Sequence, residues 1–349
     1  MKKLLKLLII TLILVAFMSD GITKVSASNP QSEIVIDVAS GRILHAKNEN
    51  EKMPIASLTK ILTCITAIKN CESEKEILIK KEWTNIEGSS IYLKEGEIYS
   101  LKELLYGLML RSGNDCAVSI ASAYEKGYDE FIKLMNLTAY SFGAENSSFV
   151  NPHGLDNAAH YSTAYDLALI TKAALSDDFF SEIVSSKSAT IGRDDYRRTI
   201  YNKNKILKNY EYATGVKTGY TKKAGRCLVT SSDKNDFKLV SVVLNCGPMY
   251  ERSKELLETA YSEYNNVLLC SKNESCATYE DLKGRKIPCY VSENVYYPLK
   301  ENEMFLIEKR VMFNKQQSSP INFGCEMGAI KFFLKKQLLF ERKIYNIIE

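Results

Sequence analysis

Three short motifs hold the side chains that could carry out chemistry in this chain of 349 residues. They are Ser57-Leu58-Thr59-Lys60, Ser112-Gly113-Asn114 and Lys217-Thr218-Gly219. Each motif is weak alone, because such short patterns occur by chance in many proteins. Together and in this order they are typical of enzymes that form an ester on a serine, although the middle motif more often has Asp in place of Gly113. The chemistry needs only the two outer side chains of that motif.

The first motif predicts an activated nucleophile. Ser57 and Lys60 lie three residues apart, so their side chains share one face of a helix. Ser57 falls in the first turn, where free backbone N–H groups and the helix dipole favour negative charge. A serine hydroxyl is a poor nucleophile until a base takes its proton, and Lys60 can be that general base only when it is neutral. Burial and a second cation, Lys217, would both lower the lysine pKa.

The middle motif predicts the groups that assist proton transfer. Ser112 is expected to relay a proton between the nucleophile, Lys60 and the leaving group. Asn114 carries an amide that can orient Lys60 and hold a substrate peptide by hydrogen bonds. We therefore include both Ser112 and Asn114 among the expected catalytic residues.

The third motif predicts the substrate-binding part of the site. Lys217 and Thr218 can bind a terminal carboxylate by charge and by hydroxyl. Gly219 is expected to leave room for a ligand that pairs with the edge of a strand. The backbone N–H groups of Ser57 and Tyr220 are expected to form an oxyanion hole.

The elements that must position these motifs follow from the periodicity of apolar residues. Alternation predicts a hairpin over Glu33 to Lys47, with its turn at Ser40-Gly41. Helical and buried-strand patterns predict the remaining elements. The first predicted helix begins near Ser57. Four more helices are predicted, over Leu101 to Leu110, Cys116 to Tyr124, Tyr128 to Phe142 and Met249 to Tyr264. The predicted strands are Gly215 to Tyr220, Arg226 to Thr230 and Phe237 to Leu244. Strands at both ends with helices between predict an α+β domain, whose antiparallel sheet has its edges completed by the two chain ends.

Beyond about residue 266 the pattern is all β. Strands are predicted over Lys286 to Val291, Ala329 to Leu334 and Leu338 to Ile348, with Lys335-Lys336 as the turn between the last two. We therefore expect a signal peptide at residues 1–27, a catalytic domain at 28–266 and a small β-rich C-terminal domain at 267–349. This last domain shows no chemistry, and we expect it to hold the catalytic domain away from the membrane or to meet a partner.

Residues 1–27 predict export. Lys2 and Lys3 form a basic start, Leu4 to Met18 is mostly apolar, and Val25-Ser26-Ala27 is a small-residue cleavage site. The apolar run is shorter than the roughly 18 residues expected of a spanning helix. An uncleaved anchor is the alternative, and only then is membrane contact expected. Either way, we expect the protein at the extracytoplasmic face of the membrane, in the cell wall or secreted.

Composition argues against other classes of function. The formal charge is +4, and most of it comes from the four lysines of the first 27 residues. The rest of the chain therefore lacks the excess positive charge that is typical of a nucleic-acid-binding protein. The nine cysteines and three histidines show no zinc-ligand spacing, and we expect neither a metal nor a cofactor. A disulfide in the C-terminal part stays open, among Cys270, Cys276, Cys289 and Cys325.

The chain resembles the serine D-Ala-D-Ala carboxypeptidases, which are the low-molecular-weight penicillin-binding proteins. The segment from Met53 to Thr63 is similar to their nucleophile segment, and so are Ser112 to Asp115, Asn151 to Asp156 and Gly215 to Thr221 to their other motifs. The resemblance covers about residues 30 to 265. It implies the penicillin-recognising serine transpeptidase/β-lactamase-like fold, removal of the terminal D-Ala from peptidoglycan stem pentapeptides through an ester on Ser57, and inhibition by β-lactams.

The chain departs from the family at several positions. Cys116 stands where alanine is more frequent, and Tyr220 where some members have histidine. Family members often bind the substrate carboxylate with an arginine near the start of the last helix, and Arg252 lies near that place. Family members also often end in an amphipathic helix, whereas Ile330 to Ile348 predicts strands, so no C-terminal anchor is expected.

Rival functions follow from the same residues. A β-lactamase needs a water held by glutamate, and no Glu-x-x-Leu-Asn segment occurs between the second and third motifs. A D,D-endopeptidase acting on peptidoglycan cross-links would use the same side chains and stays open. A non-catalytic module that binds muropeptides or penicillin is the alternative from another class.

Overall fold

The computed structural model describes residues 30–314 and 323–346. The predicted signal peptide and the end of the predicted strand at Ile348 lie outside the described residues. Within the described part, no helix has the length and apolar character needed to cross a membrane.

The chain contains both helices and strands as far as Glu263. In chain order they are β1 (Ser32–Asp37), β2 (Ile43–Lys47), α1 (Thr59–Asn70), β3 (Glu76–Leu78), β4 (Ile98–Ser100), α2 (Leu101–Leu110), α3 (Asn114–Ser122), α4 (Tyr128–Ser141), α5 (Ala164–Ala174), α6 (Asp178–Ser185), β5 (Ser188–Ile191), β6 (Arg198–Tyr201), α7 (Ile206–Asn209), β7 (Ala213–Thr221), β8 (Gly225–Lys234), β9 (Phe237–Leu244) and α8 (Met249–Glu263). Short 3-10 segments lie at Ala56–Leu58, Lys81–Trp83 and Asp194–Tyr196.

One antiparallel sheet organises this domain, with its strands in the order β2-β1-β9-β8-β7. Alternate residues of β1 enter different cores: Ile34 and Ile36 pack on one side and Val35 on the other. Helix α5 covers one face of the central strands and α8 covers the other. The α+β prediction is confirmed. The expectation that both chain ends complete the sheet edges is wrong for β9, which is apolar on both faces and therefore lies in the middle.

The predicted helix bounds are best where a cap is present. Helix α2 agrees to the residue, and Ser100 begins it with a capping box in which Ser100 and Glu103 exchange hydrogen bonds. Helix α3 begins at Asn114, two residues before the predicted start, and Gly113 is its N-cap residue. Helices α5, α6 and α7 and the antiparallel pairs β3–β4 and β5–β6 were not predicted.

Strands dominate after residue 264. They are β10 (Asn265–Cys270), β11 (Ala277–Glu280), β12 (Lys286–Cys289), β13 (Val295–Leu299), β14 (Ile307–Phe313), β15 (Glu326–Leu334) and β16 (Gln337–Tyr345), with a 3-10 segment at Glu301–Leu306. They pair as β10-β13, β11-β12 and β14-β15-β16 around a separate core. Lys335 and Lys336 both have positive φ, at 50° and 69°, as a two-residue hairpin turn requires. The predicted domain boundary at residues 266/267 falls inside β10.

Candidate active site

The turn that carries Ser57 is packed from two sides by glycines. Ala56–Leu58 forms the 3-10 segment that leads into α1, and Ala56 has a φ of +49°. A Cβ placed on Gly154 would lie 1.9 Å from the carbonyl oxygen of Ala56, and one on Gly219 would lie 2.9 Å from that of Ile55. The nucleophile turn therefore packs closely against Gly219 on the side where a Cβ would point. The expectation that Gly219 leaves room for a ligand pairing with the strand edge stays a prediction.

Lys60 is completely buried and reaches three acceptors. Its Nζ lies 2.9 Å from Ser57 Oγ, 2.7 Å from Asn114 Oδ1 and 2.7 Å from the carbonyl oxygen of His153. The amide and carbonyl oxygens can only accept. A neutral amine has two hydrogens to give to these two oxygens, and its lone pair then faces the Ser57 hydroxyl. This arrangement suits a base that accepts the proton of Ser57.

Burial also favours the neutral amine. The pKa of Lys60 is held well below the usual lysine value, first by desolvation and then by the charge of Lys217. Lys217 is itself only 2% exposed, and its Nζ donates to the carbonyl oxygen of Thr218 at 3.0 Å. Desolvation, helped by Lys203, lowers the pKa of Lys217 to about 7. The direction of the Lys60 shift agrees with the part expected of Lys217 as a second cation.

Asn114 is fixed at the start of α3 and is 3% exposed. Its backbone N–H donates to the Ser89 carbonyl at 2.7 Å, and its side-chain nitrogen donates to the Glu87 carbonyl. A Cβ on Gly88, which has a φ of +92°, would lie 2.8 Å from that nitrogen. The amide is therefore anchored to the protein at both ends, which supports the orienting of Lys60 more than a contact with substrate.

Ser112 lies in the short connection between α2 and α3. It has a φ of +64°, is 8% exposed and lines the same groove as Ser57. The neighbouring Gly113 is explained by crowding, because a Cβ there would lie 2.8 Å from Asp115 Oδ1 and 2.9 Å from Cys116 Sγ. Cys116 also lies 2.6 Å from where a Cβ of Gly107 would be, so two glycines accommodate the sulfur that stands where the family more often has alanine.

The groove over these residues has a volume of about 530 Å³. Its lining residues are Ser57, Ser89, Ser112, Lys203, Thr218, Gly219, Tyr220, Arg226, Met249 and Tyr250. The structure therefore brings Ser57, Ser112, Thr218, Gly219 and Tyr220 together at one surface, with Lys60, Asn114 and Lys217 buried beneath it. The Tyr220 side chain is 66% exposed, so a part for this residue in binding would rest on its backbone.

The groove also contains a cation that the sequence did not identify. Arg226 is the antiparallel partner of Tyr220 across the β7–β8 pair, and its exposed side chain has no hydrogen bond or ion pair with the described residues. Arg252, which the sequence placed near this region, instead binds Glu33 at 2.6 and 2.8 Å and Glu255 at 2.8 Å. The sequence could have indicated Arg226, because a short turn joins the strand of the third motif to the strand on which Arg226 lies. Two strands joined in this way pair with each other.

The loop after α4 contacts the nucleophile segment through two histidines, the half-buried His153 and the buried His160. His153 supplies the carbonyl that Lys60 binds, and its Nδ1 accepts from the Leu155 N–H at 3.2 Å. Nε2 of His160 lies 2.7 Å from Thr59 Oγ1. Burial lowers the pKa of His153 to about 3 and of His160 to about 4, so both rings are neutral at neutral pH.

Comparison with known proteins gives two family matches. The family model described as D-alanyl-D-alanine carboxypeptidase matches residues 21–247, and the model of the penicillin-binding protein 5 C-terminal domain matches residues 264–347. The D-alanyl-D-alanine carboxypeptidase DacF of Bacillus subtilis strain 168 is 30% identical, over 99% of this chain and 93% of the relative. DacC of Escherichia coli K12, with the same description, is 32% identical over 94% and 86%. The crystal structure of penicillin-binding protein 5 from Haemophilus influenzae has a TM-score of 0.75 at 23% identity, covering 93% of this chain and 98% of that one. This last likeness concerns the fold.

Proposed function

We propose, because this chain belongs to the D-alanyl-D-alanine carboxypeptidase family, that it is an exported serine peptidase which removes the terminal D-Ala from peptidoglycan stem pentapeptides. The observation that carries the proposal is the buried Lys60 amine, 2.9 Å from Ser57 Oγ and held by two further acceptors. An ordinary surface lysine would not be desolvated in this way.

The acylation step uses Ser57 and Lys60. Neutral Lys60 takes the hydroxyl proton while Ser57 Oγ attacks the carbonyl carbon of the penultimate D-Ala. The carbonyl oxygen becomes an oxyanion, which the backbone N–H groups of Ser57 and Tyr220 are expected to stabilise; each such donor typically contributes a factor of about 10²–10³ to the rate. When the tetrahedral intermediate collapses, the C–N bond breaks and an ester on Ser57 forms.

The proton must then reach the departing amine. Ser112 lines the groove beside Ser57, which supports its expected part as the relay from protonated Lys60 to the nitrogen of the leaving D-Ala. Water subsequently attacks the ester, with Lys60 again accepting a proton. The products are the shortened peptide, free D-Ala and the regenerated Ser57 hydroxyl.

The substrate carboxylate needs cationic and hydrogen-bonding partners at the far end of the groove. Thr218 offers its hydroxyl, and Lys217 lies directly behind it. Lys217 is buried and its pKa is about 7, so at neutral pH it is only partly charged. Arg226 is always charged and lies on the strand next to Thr218, so we assign it a share of carboxylate binding.

The same geometry supports the remaining expected properties. A β-lactam presents a strained amide and a carboxylate to the same groups, and we expect it to acylate Ser57. Peptidoglycan stem peptides lie outside the cytoplasm, so export and action at the cell wall follow from the substrate. A D,D-endopeptidase is the alternative, because a cross-linked peptide would meet the same side chains.

The direct test is mass spectrometry of the purified protein incubated with diacetyl-L-Lys-D-Ala-D-Ala. We expect release of one D-Ala by the wild type, none by Ser57→Ala, and wild-type release by Ser262→Ala, a surface change on α8. Cleavage of a cross-linked dimer without release of D-Ala would favour the endopeptidase. Neither release nor acylation of Ser57 by penicillin would contradict the catalytic proposal and leave a binding module.

A further inference from the structure

The hydrogen-bond directions at His160 follow from its surroundings. The Val150 backbone N–H donates to Nδ1 at 3.2 Å, so Nδ1 carries no proton. The neutral ring therefore has its proton on Nε2, which lies 2.7 Å from Thr59 Oγ1. His160 is 4% exposed and meets the Phe149 ring edge-on with centroids 5.6 Å apart, so its orientation is fixed by packing as well.

Thr59 passes this constraint to the residue before the nucleophile. Its hydroxyl accepts from His160 and donates to the carbonyl oxygen of Ala56 at 2.9 Å. The Thr59 backbone N–H donates to the same oxygen. Thr59 is completely buried, so no water competes for these bonds.

The Ala56 carbonyl and the Ser57 N–H belong to one planar trans peptide group, in which the oxygen and the hydrogen point in opposite directions. Holding the oxygen toward Thr59 therefore directs the Ser57 N–H the other way. This fixing is needed, because Ala56 has a φ of +49°, a region that costs a non-glycine residue of order 1 kcal/mol or more.

We propose that His160 and Thr59 are positioning residues that orient the Ser57 N–H as an oxyanion donor by fixing the Ala56–Ser57 peptide group. The chain of contacts is Val150 N–H to His160, His160 to Thr59, and Thr59 to the Ala56 carbonyl. Gly154, whose missing side chain admits the same carbonyl, completes the enclosure. This inference rests on the proposed acyl-enzyme function. It also explains why residues of the loop after α4 hold the nucleophile turn in place.

The test compares two threonines of α1. Thr59→Val removes the hydroxyl that binds Ala56 and keeps the side-chain shape. Thr63→Val is the matched control, because Thr63 is also completely buried and its hydroxyl donates to the Pro152 carbonyl of the same loop at 2.7 Å, without reaching Ala56. Each variant loses one buried hydroxyl–carbonyl bond, and Thr59→Val also leaves His160 Nε2–H without its acceptor. Thr59→Val should therefore lose more stability, and activities are compared per active protein molecule.

We expect Thr59→Val to lower kcat for the D-Ala-D-Ala peptide by about 10- to 100-fold at nearly unchanged KM, the size of a damaged oxyanion donor. A boronic acid analogue, whose tetrahedral oxygen occupies the oxyanion position, should lose affinity by the same factor. Thr63→Val should stay within about threefold of wild type. Thr59→Ser, which restores the hydroxyl, and His160→Gln, whose amide can accept from Val150 and donate to Thr59, should retain most activity, whereas His160→Leu should resemble Thr59→Val.

Equal losses in Thr59→Val and Thr63→Val would overturn the inference, because they would show a general effect of buried threonines. So would a loss in kcat without any loss of boronic acid affinity. Titration of the active fraction with a fluorescent penicillin separates slow turnover from misfolding. If the wild type itself is not acylated by that penicillin, the proposed function fails, and this outcome is distinct from a failure of the threonine comparison.

Discussion

The two domains differ in where they place their basic side chains. The catalytic domain buries the amines of Lys60 and Lys217, which are 0% and 2% exposed. The C-terminal domain buries no lysine or arginine among its described residues, and it leaves the Phe305 and Phe323 rings 91% and 82% exposed. Burying an amine costs free energy that a surface lysine does not. The catalytic domain accepts that cost where a neutral amine is useful for chemistry.

The hydrogen bonds differ in the same sense. Each acceptor of Lys60 is itself fixed, by the start of α3, by the loop after α4 or by the nucleophile turn. The ion pair of Lys331 with Glu341 in the C-terminal domain, at 3.3 Å, instead joins side chains that are 29% and 58% exposed, and such a pair contributes little to stability. We therefore expect substitutions of like residues to have very different effects in the two domains.

The largest expected effect is on acylation at Lys60. Lys60→Met removes the base and should slow acylation by a penicillin about 10³-fold or more, within the range of general-base losses. Lys60→Arg should be nearly as slow, because a guanidinium remains protonated and cannot accept the Ser57 proton. The rate is measured by stopped-flow fluorescence with a labelled penicillin. Lys331→Met and Lys331→Arg are the matched changes in the C-terminal domain and should leave the rate unchanged.

An active Lys60→Arg variant would contradict this prediction. It would show that Lys60 acts through its charge, and the depressed pKa would then have no part in the chemistry. Slow acylation in Lys331→Met would contradict the contrast between the domains.

The second expected effect is on stability in acid. Folded His153 and His160 have pKa values of about 3 and 4, whereas the unfolded side chains have pKa values near 6.5. Below pH 6.5 the unfolded state binds protons that the folded state does not, so stability falls as the pH falls toward 4. At pH 4.5 the loss should be about 2–3 kcal/mol for each histidine.

Urea unfolding at pH 7 and pH 4.5 measures this loss. No histidine follows residue 160, so the C-terminal domain lacks this source of acid sensitivity. His160→Gln should remove its share of the difference between the two pH values. An equal difference in this variant would mean that other groups cause the acid sensitivity.

The success of the sequence predictions depended on how local their causes are. The bounds of α2 were predicted to the residue because the capping box at Ser100 is local. The turn at Lys335 and the hairpin at Ser40-Gly41 are equally local. The motifs identified the residues that the structure gathers around Ser57, because their spacing reflects helix and strand geometry. These local features sufficed for the fold class and most of the site.

Features that depend on distant pairing could not be predicted. Gly219 faces the Ile55 carbonyl only because β7 packs on the nucleophile turn. His160 reaches Thr59 across about a hundred positions of sequence, and no pattern in the chain announces the contact. Strand β9 pairs with β1 from the other end of the domain, and no local pattern identifies that partner.

The third expected effect concerns Arg226. Arg226→Gln should lower kcat/KM for a peptide ending in D-Ala-D-Ala by about tenfold, the lower range for a lost hydrogen bond to a charged group. The same peptide with a C-terminal amide has no carboxylate to bind, and its slower reaction should be nearly insensitive to the change. Arg310→Gln, in the C-terminal domain, should affect neither substrate. Equal losses on the acid and the amide would show that Arg226 does not bind the carboxylate.

The smallest effect on activity is expected at the contact between the two domains. Arg42, in the turn between β1 and β2, donates to both carboxylate oxygens of Glu303 at 2.8 and 2.9 Å and lies over the rings of Tyr264 and Tyr297. Desolvation raises the pKa of Glu303, but the hydrogen bonds from Arg42 and from the Lys300 backbone N–H, together with the charge of Arg42, outweigh it and lower the pKa overall. Arg42→Gln should therefore lower the free energy of unfolding by about 1–2 kcal/mol.

A double-mutant cycle with Glu303→Gln isolates the energy of this pair, measured by urea unfolding. Activity on the small peptide should be unchanged in all three variants, because Arg42 lies at the β2 edge of the sheet and the active groove lies at the β7 edge. A coupling energy near zero would mean that the aromatic contacts, and not the ion pair, join the domains. A loss of peptide turnover at unchanged stability would instead mean that the C-terminal domain influences the groove across the whole sheet, and the division between a chemical and a structural domain would fail.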